Sequence, residues 1–395
     1  MDVTLLGTGA PAGLPRPGCP CANCARALGE DVRTAASLLV DGVLLLDLTP
    51  GVALAAARAG RSLGGVRQVL LTHPHDGPAL EFPPGLPGPV RLPDGRELTL
   101  LSGHRVTAVA MDTPGTGYAV TGPDGGRLLY LPPGGAPAGL ADTAPYDLCL
   151  LDVAGRPEAL ARLRAAGAVA LTTDVVAVHL DHDVPPGDES RRRLAAAGAR
   201  AVPDGGTLLV GDFREVPEPP RRTLVLGGAR SGKSAEAERR LATFPDVVYA
   251  ATGGERSDDA EWRARVAEHR ERRPAGWTTV ETTDLLPLLQ LPDAPPLLVD
   301  CLALWLTAAM DDVGAWEGRG WRAALAERTA ALVAAVRSTR RRVVLVSNEV
   351  GAGVVPATPA GRRFRDELGR LNAAVAAECE QVLLMTAGCA LALRG

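Results

Sequence analysis

The sequence predicts an α/β protein in two parts: a strand-rich layered sandwich, then a parallel sheet with helices on both faces. Three observations carry this. Short apolar runs recur through the first half of the 395 residues, separated by Gly-rich turns, with two Ala-rich helix candidates. In the second half, strand-length apolar runs alternate with helix-forming runs, the pattern of a parallel sheet. Between them lies Phe213-Arg-Glu-Val-Pro-Glu-Pro-Pro-Arg-Arg222, polar, proline-rich and without period, which reads as a linker. The expected division is 1–216, a linker at 217–221, and 222–395, with each part long enough to fold alone.

Composition excludes several classes. A net charge of −4 gives no polyanion-binding signature, so nucleic acid is not an expected partner. Aromatic residues make up 3%, so the cores must be built from Leu, Val and Ala. No N-terminal basic-plus-apolar signal stands ahead of the first strand-like run, and the longest apolar stretch, 297–310, is broken by Asp300; no membrane span is expected. Three of the seven Cys fall within six residues, which suggests metal before disulfide and a cytoplasmic setting.

In the first half, Val3-Thr4-Leu5-Leu6-Gly7-Thr8-Gly9 is a strand entering a glycine turn. Further strands are predicted at 37–40, 43–46, 69–71, 106–110, 128–131, 148–151, 169–171 and 207–210, and helices at 52–59 and 156–166. Two clusters carry chemistry. Cys19, Cys21 and Cys24 share one loop and need a fourth ligand, for which His179 and His182 are the candidates. His73 and His75 follow a strand; at i and i+2 in extended backbone they point to one side and can share a metal. His104 has no partner in sequence and reads as a surface residue.

These motifs in this order resemble the metallo-β-lactamase fold, an αββα sandwich, and most closely its phosphoribosyl cyclic phosphodiesterase branch. The resemblance implies a structural zinc on Cys19, Cys21, Cys24 and His182, and places His73, His75 and His179 at the catalytic dimetal centre. The sequence departs from that pattern. Gly77 and Pro78 stand where an Asp and a His are expected, Pro132-Pro133-Gly134 replaces the bridging aspartate, and Asp112 or Thr113 replaces a further His. A dimetal hydrolase is not assembled from what is left. Two readings stay open: one ion held by His73, His75 and His179, with phosphoesterase activity, or a zinc-stabilised interaction module without chemistry.

The second half opens on Leu224-Val225-Leu226, then Gly227-Gly228-Ala229-Arg230-Ser231-Gly232-Lys233-Ser234, then the helix former Ala235–Leu241. Strand, glycine loop and helix in that order are the context of a phosphate-binding P-loop. Backbone N–H groups and the helix N-terminus face the phosphates, Lys233 reaches the β- and γ-phosphates, and Ser234 binds Mg2+. Lys233 is the one lysine in a chain whose 42 Lys and Arg are otherwise all Arg. It sits where a slim ammonium enters a cradle that a planar guanidinium does not fit. A strand ending in a turn is predicted at 247–254, strands at 277–281, 296–301 and 382–385, and a strand with its loop at 343–351, with helices at 258–273, 322–337 and 364–378. Asp300 ends an apolar strand, as a Walker B Mg2+ ligand does. Cys301, Cys379 and Cys389 read as core.

From 223 to about 394, this half resembles the bifunctional adenosylcobinamide kinase / adenosylcobinamide-phosphate guanylyltransferase family. The motifs are the P-loop, Tyr249-Ala-Ala-Thr252, His269-Arg-Glu-Arg-Arg-Pro274, Trp277-Thr-Thr-Val-Glu281, Val299-Asp-Cys-Leu302, Ser347-Asn-Glu-Val-Gly351, Phe364-Arg-Asp366 and Gly369-Arg370-x-Asn372. The resemblance implies that adenosylcobinamide is phosphorylated by ATP or GTP and then receives GMP from GTP through a GMP-histidine, giving adenosylcobinamide-GDP. It makes His269 the nucleophile. Arg270, Arg272 and Arg273 are expected around the phosphates, and Thr252, Gly253, Gly254, Glu281 and Asp300 around the nucleotide and Mg2+. Assembly as a homo-oligomer through the C-terminal domain is expected.

Overall fold

The computed structural model describes residues 1–73, 82–140, 144–212, 219–253, 273–316, 318 and 320–395. The chain divides into two compact units, Met1–Pro219 and Pro220–Gly395.

The first unit holds β1 (Asp2–Gly7), β2 (Ser37–Val40), β3 (Leu44–Leu46), β4 (Gln68–Leu70), β5 (Glu97–Thr99), β6 (Arg105–Ala110), β7 (Thr116–Thr121), β8 (Arg127–Tyr130), β9 (Leu148–Leu151), β10 (Asp174–Ala177), β11 (Arg200–Ala201) and β12 (Thr207–Leu209). They form two sheets, ordered β12-β1-β2-β3-β4 and β11-β10-β9-β8-β7-β6-β5. Strand alternation decides the layers. Val3, Leu5, Leu38, Val40, Leu44 and Leu46 turn inward to share a core with Val106, Tyr118, Leu128, Tyr130 and Leu150 of the other sheet. Their neighbours Leu6, Leu39, Leu45 and Val69 turn outward onto Val52 and Ala56 of the helix Val52–Arg58. Leu129, Cys149 and Leu151 turn outward onto Leu160 and Leu163 of the helix Pro157–Ala165 and Leu194 of the helix Asp188–Ala196. The result is helix, sheet, sheet, helix. Each buried Leu in this interleaving contributes roughly 2 kcal/mol.

One strand lies elsewhere than expected. Residues 169–171 form no strand, and Leu171 is exposed. The hydroxyl of Thr173 accepts from Ala170 N and donates to the Tyr146 carbonyl, folding those residues into a turn, and β10 starts at Asp174.

The second unit holds β13 (Arg222–Gly227), β14 (Val248–Ala251), β15 (Thr278–Glu281), β16 (Leu297–Asp300), β17 (Val343–Asn348), β18 (Gln381–Thr386) and β19 (Cys389–Arg394). Their order is β15-β14-β16-β17-β13-β18-β19, parallel except for β19, which pairs antiparallel with β18. Successive residues of β13, β16 and β17 are buried, so both sheet faces are covered. The cover comes from the helices Lys233–Leu241, Leu302–Asp312, Trp321–Ser338 and Pro359–Ala377, through Leu241, Leu306, Leu332 and Leu371 among others. Register aligns the strand ends: Gly227 opposes Asn348, Ala251 opposes Asp300, and Asp300 opposes Val346. Loops leaving this carboxyl edge build the site. The expected helix at 258–273 falls almost wholly on residues outside the described ones.

Strand β19 was not legible in the sequence. The turn before it places Ala387 at φ 51 and Gly388 at φ 77, both left-handed, as a two-residue hairpin with a type I′ turn requires. Alanine in the first position hides the turn. Cys389, expected in the core, is exposed at the start of this edge strand, whereas Cys301 and Cys379 are buried.

Candidate functional site

At the centre of the carboxyl edge, β13 ends in Gly227. A Cβ there would collide with Ser231 Oγ and lie 2.9 Å from the Met385 carbonyl oxygen, so only glycine permits the loop to double back. Arg230 at φ 58 and Gly232 at φ 93 complete the turn, and Gly232 opens the helix Lys233–Leu241. Gly228 is exposed, with nothing near a would-be Cβ, so its backbone can be approached closely. Ser231 Oγ is buried with no hydrogen-bond partner among the described residues. Lys233 Nζ folds back to the Gly228 carbonyl at 3.2 Å, which leaves two of its three N–H groups for a ligand. The β18–β19 turn props the loop from behind, Gly388 N donating to the Ser231 carbonyl at 3.1 Å. An orphaned hydroxyl, an unobstructed backbone and an ammonium at a helix N-terminus fit a chain of phosphates. Ser234 follows on the first turn of the helix, half-buried.

Asp300 stands at the end of β16, two strands away in the sheet. Its Oδ2 accepts from the Tyr249 hydroxyl at 2.7 Å. Burial first, then the Asp300 charge, pushes the Tyr249 phenol far above its ordinary range, so it remains a donor. The Arg273 guanidinium lies 3.3 Å from the Tyr249 ring centroid and donates to Thr279 Oγ1 at 2.9 Å. Its Nε is buried without a partner among the described residues. Thr252 is buried; its hydroxyl donates to the Cys301 carbonyl at 2.7 Å and accepts from Cys301 N at 2.8 Å. That hydroxyl braces two strand ends. Gly253 follows, half-buried, and Glu281 ends β15 exposed. Gly254, His269, Arg270 and Arg272 lie outside the described residues.

Sequence reasoning missed two members of this edge. Tyr249 was visible only as a motif letter, and Asn348 only as a loop residue. Asn372 Nδ2 donates to the Asn348 carbonyl at 3.0 Å, and the Ser347 hydroxyl donates to Asn372 Oδ1 at 2.6 Å. Glu349 N donates to the Gly227 carbonyl at 3.0 Å, tying this loop to the phosphate loop.

In the first unit, Cys19, Cys21, Cys24 and His182 bring one ligand atom each to within 4.8 Å of one another. His182 Nδ1 is 3.2 Å from Cys19 Sγ and 3.6 Å from the sulfurs of Cys21 and Cys24. A tetrahedral zinc with ordinary Zn–S and Zn–N bonds separates N and S by about 3.6 Å, so the donor set fits that ion. The Cys24 backbone N–H, followed by the neighbouring thiols and His182, draws the Cys21 thiol down to about 6. Of the two histidines left open as fourth ligand, His182 is the one beside the sulfurs.

His73 and His179 sit in a different setting. Buried Asp47 is its hub: Oδ1 accepts from Thr72 N at 2.7 Å, and Oδ2 accepts from the hydroxyls of Thr72 at 2.7 Å and Tyr130 at 2.8 Å. His73 Nδ1 lies 3.0 Å from Thr72 Oγ1. His179 donates from Nε2 to the Leu131 carbonyl at 2.9 Å, and its ring stacks on Tyr130. Burial holds its pKa down to about 4, so it is neutral. Asp112 is committed to Arg156 at 2.8 Å and Arg162 at 3.0 Å. Among the described residues, neither His73 nor His179 joins a convergent group of three metal donors. These residues do not fit a dimetal centre; His75 lies outside the described residues. His104, expected at the surface, is buried between Ser102 Oγ at 2.9 Å and Asp41 Oδ2 at 2.8 Å. Its partner Asp41 is distant in sequence, which is why it read as solitary.

Comparison with known proteins divides along the same line as the two units. The first unit is similar to solved structures of a diphosphatase from the PhnP family and of the short form of human tRNase Z. The diphosphatase match has 20% identity and a TM-score of 0.39, covering 55% of this chain and 99% of that one. The tRNase Z match has 15% identity and a TM-score of 0.33, covering 53% and 99%. No helix among the described residues is long and apolar enough to cross a membrane. Residues 223–393 match the family model for cobinamide kinase / cobinamide phosphate guanyltransferase. The bifunctional adenosylcobalamin biosynthesis protein CobP of Pseudomonas aeruginosa is 44% identical over 180 residues, 44% of this chain and 98% of that protein. CobU of Salmonella typhimurium, with the same description, is 37% identical over 174 residues, 42% of this chain and 95% of that protein. With its phosphate loop, its strand-end carboxylate and nearly the full length of these relatives, the chain belongs through its second unit to the cobinamide kinase / cobinamide phosphate guanyltransferase family.

Proposed function

We propose that this chain is a bifunctional transferase of cobalamin biosynthesis that phosphorylates adenosylcobinamide and then guanylylates the product, giving adenosylcobinamide-GDP. The observation that carries the reading is the phosphate cradle at Gly227–Ser234 within a unit that spans 98% of a relative at 44% identity. In the first reaction, the acceptor hydroxyl attacks the γ-phosphorus of ATP or GTP; a P–O bond forms, the nucleoside diphosphate leaves and the hydroxyl proton is released. The loop's N–H groups and Lys233 hold the β- and γ-phosphates and neutralise charge as the bond breaks. Ser234 and Asp300 would hold Mg2+, which shields the same oxygens when bound. In the second reaction, the neutral imidazole of His269 attacks the α-phosphorus of GTP and pyrophosphate leaves. A phosphate oxygen of the acceptor then forms the new P–O bond as the P–N bond breaks, and imidazole departs neutral. Arg270, Arg272 and Arg273 are the cations proposed around these phosphates, with Thr252, Gly253, Gly254 and Glu281 supporting the nucleotide.

For the first unit, the reading is a zinc-stabilised module on Cys19, Cys21, Cys24 and His182 without hydrolytic chemistry. The hydrogen bonds already made by Asp47 and His179 support this over a phosphoesterase. A cytoplasmic, homo-oligomeric protein completes the proposal, with association through the C-terminal domain supported by exposed Leu391 and Leu393 on edge strand β19.

Incubation with α-labelled GTP and Mg2+, then denaturation and counting of protein-bound label, tests the transferase. Acid-labile, base-stable label that vanishes in His269→Ala is expected. Absence of label from a protein that binds GTP would remove the nucleophile and leave a kinase or a plain nucleotide-binding unit.

A further inference from the structure

The helix Pro359–Ala377 carries a basic face that the phosphate loop and its strand-end partners leave unexplained. It returns the chain from β17 to parallel β18, so it runs opposite to the strands and its first turns stand at the carboxyl edge. Asn372 marks the level, bonding Ser347 and Asn348 at the last two residues of β17. At 1.5 Å per residue, the helix start lies about 20 Å beyond that level, so Arg362 and Arg365 overhang the edge from which the phosphate loop leaves.

Beneath this overhang is a cavity of about 620 Å³ whose walls include Val355, Arg362, Arg365, Asp366 and Arg370. A second, of about 310 Å³, reaches Leu226 and Glu349, next to the start of the phosphate loop. The two share Gly369 and Ala373, so they adjoin as a groove along this helix. Three guanidiniums stand against the carboxylates of Asp366 and of Glu367, the latter paired with Arg370, so the outer end keeps a net positive charge. Each arginine retains donors: Arg365 gives one N–H to the Gly351 carbonyl at 2.5 Å, and Arg370 one to Glu367 at 2.5 Å. Arg362 instead anchors the loop, through the Pro356 and Ala357 carbonyls at 3.0 and 2.6 Å.

We propose that this groove is the acceptor site, in which Arg365 and Arg370 bind the phosphate monoester of the phosphorylated acceptor and exposed Val355 meets its apolar body. The inference rests on the transferase reading and extends it to the second substrate. Physical necessity supports it. In the guanylyl-transfer step, a phosphate dianion must approach a second phosphate, that of the proposed GMP-histidine, for which Arg270, Arg272 and Arg273 are the proposed cations. It needs cations of its own, and bidentate guanidiniums supply them.

The test separates the half-reactions. GMP-protein formation from labelled GTP involves no acceptor; single-turnover transfer from the preformed adduct to the phosphorylated acceptor does. For Arg365→Ala and Arg370→Ala, the KM for the phosphorylated acceptor should rise roughly 10-fold each and more in the double variant, with adduct formation retained as the control for folding. Arg→Lys at either position should recover part of the loss. Unchanged acceptor KM in an adduct-forming double variant overturns the proposal. So does a change in sedimentation with unchanged KM, which would make the face a contact between copies. Equilibrium dialysis of the phosphorylated acceptor reads the groove even if the parent chain forms no adduct, an outcome that sinks the transferase reading instead. Equal binding by parent and double variant then overturns the groove.

Discussion

The buried polar groups around Asp47 and those around Gly227 are built to opposite ends. At Asp47, one carboxylate takes up Thr72 N and the hydroxyls of Thr72 and Tyr130, while His179 spends its Nε2 proton on the Leu131 carbonyl. At Gly227, the Ser231 hydroxyl is buried without a partner among the described residues, and Lys233 keeps donors in reserve. A buried polar group left unmade costs about 1–3 kcal/mol unless something else completes it. The closed network repays that cost within the fold. The open one defers it to a ligand. The difference teaches how to tell a stability site from a chemical one where both hold the same residue types: by following where each donor goes.

Paired substitutions break this comparison most directly. Lys233→Ala should leave stability nearly untouched and lower the phosphoryl-transfer kcat/KM at least ~100-fold, because it removes the cation proposed to meet the phosphates and, within the fold, only one exposed bond to the Gly228 carbonyl. Asp47→Ala should do the reverse. It orphans three donors, and the loss should be roughly 3–5 kcal/mol of first-unit stability by urea unfolding, with GMP-protein formation retained while the protein is folded. A Lys233 variant that unfolds early, or an Asp47 variant that is stable but inactive, would reverse the assignments.

Zinc sharpens the contrast within the first unit. The four donors at Cys19, Cys21, Cys24 and His182 converge, whereas among the described residues His73 and His179 join no such group. One zinc per chain is expected by elemental analysis, and it should be lost in Cys21→Ser but retained in His179→Gln. Chelation should lower the urea midpoint of the first unit, since metal bound only by the native state adds its binding energy to folding. Two metals per chain, or chelation that abolishes a phosphoesterase activity, would restore the hydrolase reading.

How much of this was legible in the sequence follows from how local each feature is. The phosphate cradle lies within eight consecutive residues, and its glycines and lysine announce it before any fold is known. Asp300 is legible because a carboxylate that ends an apolar strand arrives at the carboxyl edge whatever the strand order. His104 failed because its partner Asp41 lies in the turn between β2 and β3, far off in sequence, and nothing near residue 104 implies it. Edge strand β19 failed because an alanine occupies a left-handed turn position that sequence rules assign to Asn, Asp or Gly. The groove along Pro359–Ala377 was visible only as the letters Phe364-Arg-Asp366 and Gly369-Arg370; their place beside the strand ends followed once Asn372 was seen to bond Ser347 and Asn348.

Tyr249 is the finest test of the open region, because its effect must travel through another side chain. Its hydroxyl donates to Asp300 Oδ2 at 2.7 Å, which would orient the carboxylate proposed to hold Mg2+. Tyr249→Phe keeps the ring and its contact with Arg273 and removes only that hydrogen bond. The Mg2+ concentration for half-maximal activity should rise roughly 10-fold, with kcat at saturating Mg2+ within about twofold of the parent, as expected when a residue orients a metal ligand without touching substrate. Urea unfolding of the variant should shift by about 1 kcal/mol, the usual worth of one such bond. A purely structural tyrosine would show that stability loss with an unchanged Mg2+ dependence. A tyrosine that itself contacts the phosphates would lower kcat at every Mg2+ concentration. The Mg2+ titration therefore separates positioning from both alternatives, and it does so in a region where every other polar partner is left as it stands.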